Sequence, residues 1–291
     1  MKHAPIRKVV IPVAGYGTRF LPFTKAMPKE MLPIIDQPVI QFVVEEAVAS
    51  GVTDVILVTS STKRPVEDHF DQNMELEAWL KKIGKEEQLE QIQAIGKMAN
   101  FIYVRQKGPY GNAIPVLNAS HLIGDEPFAV LWGDEVFLNR ERPRLKQMFE
   151  VYEKYGGPVL GLLETDDEGT KKYGIADPEA ELSPGVYQIK GLVEKPGPEK
   201  TPSHLAAMGA YVLTPDIFEE IQRMPPGTGG EYYLPEAIHA LMKRRSVYGC
   251  RLQGEYFDTG SKIGWLRANL AMALRRPDLA KDVKDMLQSL S

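Results

Sequence analysis

The chain has 291 residues, of which 43% are hydrophobic and 25% are charged, and its formal net charge is −4. This length and composition are sufficient for one large α/β domain or two small ones with a substantial core. The slightly negative charge excludes a broad basic surface for nucleic acid, so an anionic ligand has to be bound by a few well-placed cations.

Cysteine content and hydropathy exclude further classes of protein, which are disulfide-bonded, secreted and membrane-spanning proteins. Cys250 is the only cysteine, which excludes an intramolecular disulfide and a thiolate metal cluster. The segment from Met1 to Arg7 is polar and lacks the hydrophobic stretch of a secretory signal. No segment reaches the roughly 20 consecutive apolar residues of a membrane span. We therefore expect a cytoplasmic protein that binds neither membrane nor nucleic acid.

The first half of the chain alternates apolar runs with helix-like segments. Residues 8–14 form a β-branched run that ends at glycines, which is typical of a buried parallel strand followed by a loop. A helix over residues 40–50 and a second strand over 54–59 complete a βαβ unit, which predicts a doubly wound sheet. The remaining predicted elements are exposed helices within 73–97, strands at 101–104 and 128–132, and a helix near 114–121.

The second half also mixes strands and helices. The predicted strands are at 159–163, 187–189, 209–213 and 246–250, with helices near Phe218, at 234–243 and at 263–274. No repeat or long linker marks a boundary, so we expect a single domain over residues 1–291. The predicted fold is a Rossmann-like, doubly wound, mixed but mainly parallel sheet flanked by helices.

Two segments that follow the first strand carry most of the chemistry. They read VAGYGTRFLP at residues 13–22 and TKAMPKEMLP at residues 24–33. Glycines after a strand let backbone N–H groups approach phosphate oxygens, and Arg19 and Lys29 supply cations, so we interpret these segments as a triphosphate cradle. Two glycines alone are equally compatible with a structural turn. A Walker loop needs Gly-Lys-Ser/Thr and the dinucleotide fingerprint needs glycine in place of Phe20, so both motifs are excluded.

Other candidate residues lie at the ends of predicted strands or in turns. The amide of Gln106 has a donor and an acceptor that match the imide edge of uracil or thymine. Magnesium bound to phosphates takes only one or two protein carboxylates, which Asp134 and the distant Asp258 would supply. Glu194 and Lys195 offer a carboxylate for sugar hydroxyls and an ammonium for a phosphate. Each residue taken alone also has a structural interpretation, as a surface amide, a helix cap or a solvated turn.

The stretch from residue 13 to 33 resembles the signature of the sugar-phosphate nucleotidyltransferases, and its second segment resembles the bacterial UTP–glucose-1-phosphate uridylyltransferases in particular. The resemblance extends from about Lys8 to Leu274. Further matches are EEA at 45–47, DEPFAV at 125–130, KYGI at 172–175, VEKP at 193–196 and FDTG at 257–260. The resemblance implies a glycosyltransferase-A-like fold. In that fold, a nucleotide-binding half extends to about residue 140, a sugar-phosphate half covers about 141–262, and a C-terminal helical segment covers about 263–291.

The resemblance also implies the activity, which is transfer of a uridylyl group from UTP to glucose 1-phosphate with Mg²⁺, giving UDP-glucose and pyrophosphate in a homodimer or homotetramer. The implied catalytic residues are Arg19, Lys29 and Lys195. The implied nucleotide-binding residues are Ala14, Gly15, Gly17, Thr18, Glu30, Gln106 and Gly111. The implied sugar-phosphate residues are Gly174, Glu194, Lys195 and Gly209, and the implied metal ligands are Asp134 and Asp258.

Two departures from the family pattern leave alternatives open. The usual Gly-Leu-Gly-His-Ala is PYGNA at 109–113, and the usual Leu-Pro-Asp-Asp is LWGDE at 131–135, closer to the thymidylyltransferases that use dTTP. Because uracil and thymine differ by one methyl group, dTTP stays open as the donor, as do other hexose 1-phosphates. A non-catalytic nucleotide-sugar-binding protein is a further alternative. Such a protein would not need all five residues predicted to contact phosphate or metal, which are Arg19, Lys29, Asp134, Lys195 and Asp258. The role of Glu135 also stays open.

Overall fold

In the computed structural model, residues 3–290 are described, apart from the side chain of residue 228. Met1, Lys2 and Ser291, at the limits of the predicted domain, lie outside the described residues. The first half contains β1 (Lys8–Pro12), β2 (Pro33–Ile34), β3 (Gln37–Pro38), α1 (Val39–Ala49), β4 (Asp54–Thr59), α2 (Arg64–Phe70), α3 (Met74–Lys82), α4 (Glu86–Lys97), β5 (Asn100–Arg105), α5 (Ala113–Asn118), α6 (Ser120–Ile123), β6 (Phe128–Leu131) and β7 (Glu135–Leu138).

The second half contains α7 (Arg144–Tyr155), β8 (Val159–Glu164), α8 (Asp167–Thr170), β9 (Gly174–Ser183), β10 (Val186–Glu194), β11 (Leu205–Leu213), α9 (Ile217–Arg223), α10 (Leu234–Leu241), β12 (Val247–Arg251), β13 (Glu255–Asp258), α11 (Lys262–Ala273) and α12 (Ala280–Leu290). Nine strands form one sheet in the order β5-β4-β1-β6-β11-β8-β12-β10-β9. Among the described residues, no helix is both long and apolar enough to cross a membrane.

The predicted mixed α/β sheet is confirmed, and its two halves pair differently. Strands β5, β4, β1 and β6 are parallel to one another. Strand β11 is antiparallel to both β6 and β8, and β10 is antiparallel to β9 and β12, so parallel pairing does not dominate the second half. For β9 and β10, the reason is the length of their connection. Only Pro184 and Gly185 separate β9 from β10, and a two-residue turn can join only antiparallel strands, whereas a parallel pair needs a long crossover.

Alternating side chains along the first strands cover both faces of the sheet. On β1, Val9 and Ile11 contact one buried cluster while Val10 belongs to the other. Helices α1 and α7 cover the first face, and α5, α9 and α10 cover the second. Both faces are therefore buried, which explains the continuous apolar runs that made these strands predictable. The thiol of Cys250 is buried in the first of these clusters.

Several elements differ from the sequence prediction. The predicted helix near 114–121 is divided into α5 and α6. Strand β9 was not predicted because its distal half is polar and exposed, which removes the apolar alternation. Helix α12 lies within the C-terminal helical segment that the resemblance implies, and none of its described residues is buried. Helix α7 was not predicted, although it buries Leu145, Met148 and Val151; it begins at the end of a run of charged residues.

Candidate active site

The carboxyl ends of β1, β5 and β6 open into one cavity of about 1670 Å³. In doubly wound sheets this edge, at the point where the strand order reverses, is where ligands bind. Most of the predicted site residues line the cavity, although they are far apart in the chain. They are Ala14, Gly15, Arg19, Lys29, Glu30, Gln106, Gly111, Asp134, Lys195 and Asp258.

A second cavity, of about 150 Å³, is lined by the other predicted sugar-binding residues, Gly174, Glu194 and Gly209. Trp132 and Glu135 line both cavities, so the two spaces share a wall. The indole ring of Trp132 meets Tyr211 edge to face, with 6.1 Å between the ring centroids. The fold thus brings the nucleotide candidates and the sugar candidates to neighbouring spaces at one edge of the sheet.

Lys29 and Asp134 form an ion pair on the wall of the larger cavity, with 2.5 Å between Nζ and Oδ2. Lys29 lies in a 3₁₀ turn after the glycine segment, and Asp134 lies in the turn between β6 and β7. Burial alone would lower the pKa of Lys29, but the charges of Asp134 and Glu30 outweigh it, so the pKa is raised. Lys29 is therefore a permanent cation at this position. Arg19 is exposed on the same wall.

Asp258 lies beside Asp134 because β13 pairs with β7, which places Asp258 opposite Glu135. Both carboxylates have an oxygen close to Gly260. A Cβ atom on Gly260 would lie 2.6 Å from Asp134 Oδ2 and 3.0 Å from Asp258 Oδ1. Burial and the charge of Asp134 both raise the pKa of Asp258, while Arg19 opposes them.

The two aspartates suit a divalent cation that also binds phosphate. Each has an oxygen close to Gly260, and the repulsion between the two carboxylates is the electrostatic condition that a cation relieves. Within residues 3–290, no group of three or more His, Cys, Asp or Glu side chains is arranged to hold a metal ion. Two carboxylates are nevertheless what Mg²⁺ takes from a protein when phosphate and water oxygens complete its octahedron.

Glu30 differs from the sequence expectation in one respect, because its side chain is fully buried at the edge of the cavity. Its Oε2 accepts a hydrogen bond from Lys63 Nζ at 2.8 Å, and its Oε1 has no hydrogen-bond partner in the structure. Burial raises the pKa of Glu30, although the charges of Lys63 and Lys29 oppose this effect. Lys63 was missed from the sequence because a lysine in a Ser-Ser-Thr-Lys loop has the pattern of a solvated turn.

Gln106 and Gly111 lie on the loop that follows β5. The backbone N–H of Gln106 donates to Thr59 O at 2.8 Å, which fixes the end of the strand. Gly111 has φ of 123°, and a Cβ there would lie 2.2 Å from Tyr232 O, so only glycine is accommodated. The N–H of Tyr232 in turn donates to Tyr110 O at 2.9 Å. The loop that carries the predicted base-reading residue is therefore docked on the backbone of Tyr232.

Glu194 and Lys195 end the β9–β10 hairpin. Glu194 lies opposite Gly174 in the strand register, and its Oε1 is 3.1 Å from Lys195 Nζ. Both side chains are exposed to solvent. Lys195 has φ of 47°, which is rare for a residue other than glycine, and its N–H donates to Tyr173 O at 3.2 Å. Strained backbone of this kind persists where the surrounding structure holds it, often at functional sites.

Glu135 lines both cavities, and Arg144 is buried next to it. Burial raises the pKa of Glu135 to about 8, with Arg144 opposing and Asp134 adding to the shift. Arg144 is fully buried and donates two hydrogen bonds to Glu46, at 3.2 and 3.0 Å. Sequence reasoning left Glu135 without a role and missed Arg144, because an arginine within the run NRERPR looks solvated.

Gly17 and Thr18 are the predicted nucleotide-binding residues that line neither cavity. Gly17 has φ of 65°, and its carbonyl accepts a hydrogen bond from Thr24 Oγ1 at 2.8 Å. A Cβ on Gly17 would lie 3.1 Å from Lys29 Cβ, so this glycine lets the second motif pack against the first. The structure therefore assigns Gly17 to holding the loop rather than to the cavity wall.

Comparisons with known proteins agree with this geometry. The model of the nucleotidyl transferase family matches residues 8–274. The chain is 44% identical over 285 residues to the UTP–glucose-1-phosphate uridylyltransferase YngB of Bacillus subtilis, covering 98% of this chain and 95% of that protein. It also superposes on UTP-bound UGPase from Acinetobacter baumannii with a TM-score of 0.91 at 36% identity, covering 98% of this chain and 100% of that one. A UDP-glucose pyrophosphorylase complexed with UDP-glucose gives a TM-score of 0.85 at 41% identity, covering 93% and 100%.

Proposed function

The chain belongs to the nucleotidyl transferase family, and from that premise we propose that it transfers a uridylyl group from UTP to glucose 1-phosphate, giving UDP-glucose and pyrophosphate. The observation that carries the proposal is that the Lys29–Asp134 pair, Asp258 and Lys195 all line the larger cavity. Relatives that match nearly the whole chain are uridylyltransferases of this kind.

The reaction needs positioning and charge stabilisation rather than proton transfer. An oxygen of the sugar phosphate attacks the α-phosphorus of UTP, a new P–O bond forms, and the bond to the β-phosphate oxygen breaks as pyrophosphate leaves. The attacking oxygen is already anionic, so no general base is required. The protein has to hold two mutually repelling phosphates in line and stabilise the charge that develops.

Three cations are suited to these tasks. We assign Lys195 to the phosphate of glucose 1-phosphate, because it lies on the hairpin that also carries Glu194 beside the smaller cavity. Arg19 and Lys29 are assigned to the β- and γ-phosphates and then to the leaving pyrophosphate. Lys29 is held by Asp134 before any substrate arrives, so its charge requires little reorganisation during the reaction.

Nucleotidyltransferases generally use a divalent metal ion, and we propose Mg²⁺ with Asp134 and Asp258 as its protein ligands. A bound Mg²⁺ would neutralise phosphate charge and orient the reacting phosphates. The chain itself prepares the site. Gly260 leaves room between the carboxylates and donates its N–H to Asp258 Oδ1 at 3.0 Å, while Thr259 Oγ1 donates to Asp134 O at 2.7 Å.

We assign Gln106 and the backbone around Gly111 to the uracil, and Ala14 and Gly15 to the nucleoside wall. The sugar belongs in the smaller cavity, where the carboxylate of Glu194 can accept hydrogen bonds from its hydroxyls. Gly174 and Gly209 bring backbone close to that space. Glu30, being fully buried, supports the nucleoside wall from behind through its contact with Lys63.

We also propose that the enzyme acts in the cytoplasm as a homodimer or homotetramer. Helix α11 exposes three large apolar side chains at helical spacing, Ile263, Leu266 and Leu270, which would be buried by a second copy of the chain. Light scattering coupled to size-exclusion chromatography tests the assembly, and a monomer at micromolar concentration would contradict it.

The activity is tested by pyrophosphate release with Mg²⁺, offering UTP or dTTP with the 1-phosphates of glucose, galactose and N-acetylglucosamine. We expect release to be fastest with UTP and glucose 1-phosphate, and Asp258→Ala to abolish it. Preference for dTTP or another sugar would replace the substrate assignment. Absence of release with every pair would instead favour a nucleotide-sugar-binding protein.

A further inference from the structure

A buried cluster of three ionisable side chains lies at the wall that the two cavities share. We call Glu46, Arg144 and Glu135 the Arg144 cluster. Arg144 has no solvent exposure, and its Nε and Nη2 donate to the two carboxylate oxygens of Glu46. Its third nitrogen, Nη1, is 3.6 Å from Glu135 Oε2, and neither of these two buried atoms has a hydrogen-bond partner. The guanidinium thus joins one carboxylate firmly and faces a second.

The cluster connects three separate elements at the sugar side of the site. Glu46 is on α1, Arg144 begins α7 and Glu135 begins β7. The carboxyl group of Glu135 contacts Gly209. At this glycine the pairing of β11 with β8 shifts register, between Ala207 and Tyr211. A Cβ on Gly209 would lie 1.5 Å from Glu135 Oε2 and 2.7 Å from Arg144 Nη1. Glu135 and Gly209 both line the smaller cavity.

Stability does not explain such a cluster. Burying a guanidinium and two carboxyl groups costs desolvation energy that their attraction only partly returns, and apolar side chains of similar volume are often at least as stabilising. A fully buried arginine does fix geometry, because its planar fork holds a carboxylate in one orientation. The Arg144 cluster is therefore best suited to fixing where Glu135 and the backbone at Gly209 lie.

The neighbouring metal-site residue is held by other contacts. Asp134 precedes Glu135, but its carboxylate is bonded to Lys29 and its carbonyl accepts from Thr259 Oγ1. Disturbing Glu135 should then displace the sugar wall more than the nucleotide wall. We propose that Arg144 is a positioning residue for the sugar-phosphate side of the reaction, holding Glu135 against Gly209 and so fixing the wall of the smaller cavity. This inference rests on the proposed function.

The test compares Arg144→Lys with Arg142→Lys in steady-state assays. Lysine keeps the buried charge but cannot hold Glu46 and reach Glu135 together. We expect the KM for glucose 1-phosphate to rise about tenfold or more, as for a substrate contact misplaced by a fraction of an ångström, with the KM for UTP within about twofold. Arg142 is the matched control, because it pairs with Glu150 at 2.6 Å in solvent and should leave both constants unchanged.

Glu135→Gln is the second variant, to be used if Arg144→Lys does not fold. It leaves the Glu46–Arg144 pair intact and should show the same selective rise in the KM for glucose 1-phosphate. Parallel rises in both KM values, no rise in either, or failure of Glu135→Gln to fold would each overturn the positioning role. An inactive wild-type protein would overturn the proposed function and this inference with it, whereas an active one without the selective rise overturns the inference alone.

Discussion

The ion pairs assigned to the nucleotide side and the Glu194–Lys195 pair of the sugar side are held in opposite ways. On the nucleotide side, Lys63 and Glu30 form an ion pair whose side chains are 4% and 1% exposed, and Lys29 and Asp134 are 23% and 19% exposed. On the sugar side, Lys195 and Glu194 are neighbours in sequence and are 57% and 55% exposed. The first set lies in loops after parallel strands, and the second ends an antiparallel hairpin.

This difference indicates a division between preorganised and adaptable charges. Buried ion pairs have already lost their water, so the nucleotide side presents fixed charges to an incoming triphosphate. The exposed pair on the sugar side is screened by solvent and contributes little to stability. Its lysine is fixed at the backbone by its strained conformation while its ammonium can leave Glu194 for a phosphate. We therefore expect substitutions on the two sides to separate stability from activity.

The largest effect is expected for Asp134→Ala. It removes a proposed metal ligand and leaves the ammonium of Lys29 without its partner, so kcat should fall by about 10³-fold or more, comparable to loss of a central electrostatic contact. The measurement is pyrophosphate release at saturating substrates. Asp282→Asn, on the exposed face of α12, is a control that should keep wild-type kcat. Residual activity above a tenth of wild type would contradict the assignment of Asp134.

Lys195→Met should reduce kcat/KM for glucose 1-phosphate by about 10²-fold, because it removes the cation assigned to the sugar phosphate. Stability should hardly change, since an exposed ion pair contributes at most about 1 kcal/mol. Urea denaturation followed by fluorescence gives the free energy of unfolding, and product formation gives kcat/KM. A clear loss of stability would show that the sugar side is built like the nucleotide side and would remove the contrast.

Lys63→Met makes the complementary test on the nucleotide side. Removing one partner of a buried pair leaves the carboxylate of Glu30 uncompensated, and such changes cost about 3–5 kcal/mol of unfolding free energy. Lys63 contacts no proposed substrate group, so the folded variant should lose less activity than Lys195→Met does. Equal stability of the two methionine variants in urea would show that burial is not what separates the two sides.

The sequence predicted individual site residues better than it predicted their partners. Residues 13–33 are recognisable because glycines, cations and prolines occur together after an apolar strand. The ion pair of Lys29 with Asp134 joins residues 105 positions apart, and it depends on β1 and β6 being neighbours in the sheet, which local patterns do not specify.

The buried residues that support the site could not be recognised from the sequence. Lys63 and Arg144 are buried cations, but each lies in a polar stretch whose ordinary interpretation is a solvated loop. Burial of a charge is decided by tertiary packing, and most lysines and arginines are exposed. The first strands were predictable because both faces of β1 are buried, and a strand that is buried on both faces has a continuous apolar sequence.

The smallest expected effect is a pH dependence in the cost of Lys63→Met. Burial raises the pKa of Glu30 above its usual 4.5, and Lys63 is the strongest group opposing that rise, so the variant should have a still higher pKa at Glu30. An acid whose pKa is raised on folding binds more protons in the native state, so stability falls as pH increases from about 4.5 through the folded-state pKa. That loss of stability is larger in the variant, because its folded-state pKa is higher.

The difference in unfolding free energy between wild type and Lys63→Met should therefore grow between pH 5 and pH 8, by at most about 1.4 kcal/mol per pH unit. A difference that is constant over this range would mean that Glu30 stays charged without Lys63, held by Lys29 alone, and the buried side would then be one shared network rather than two separate pairs.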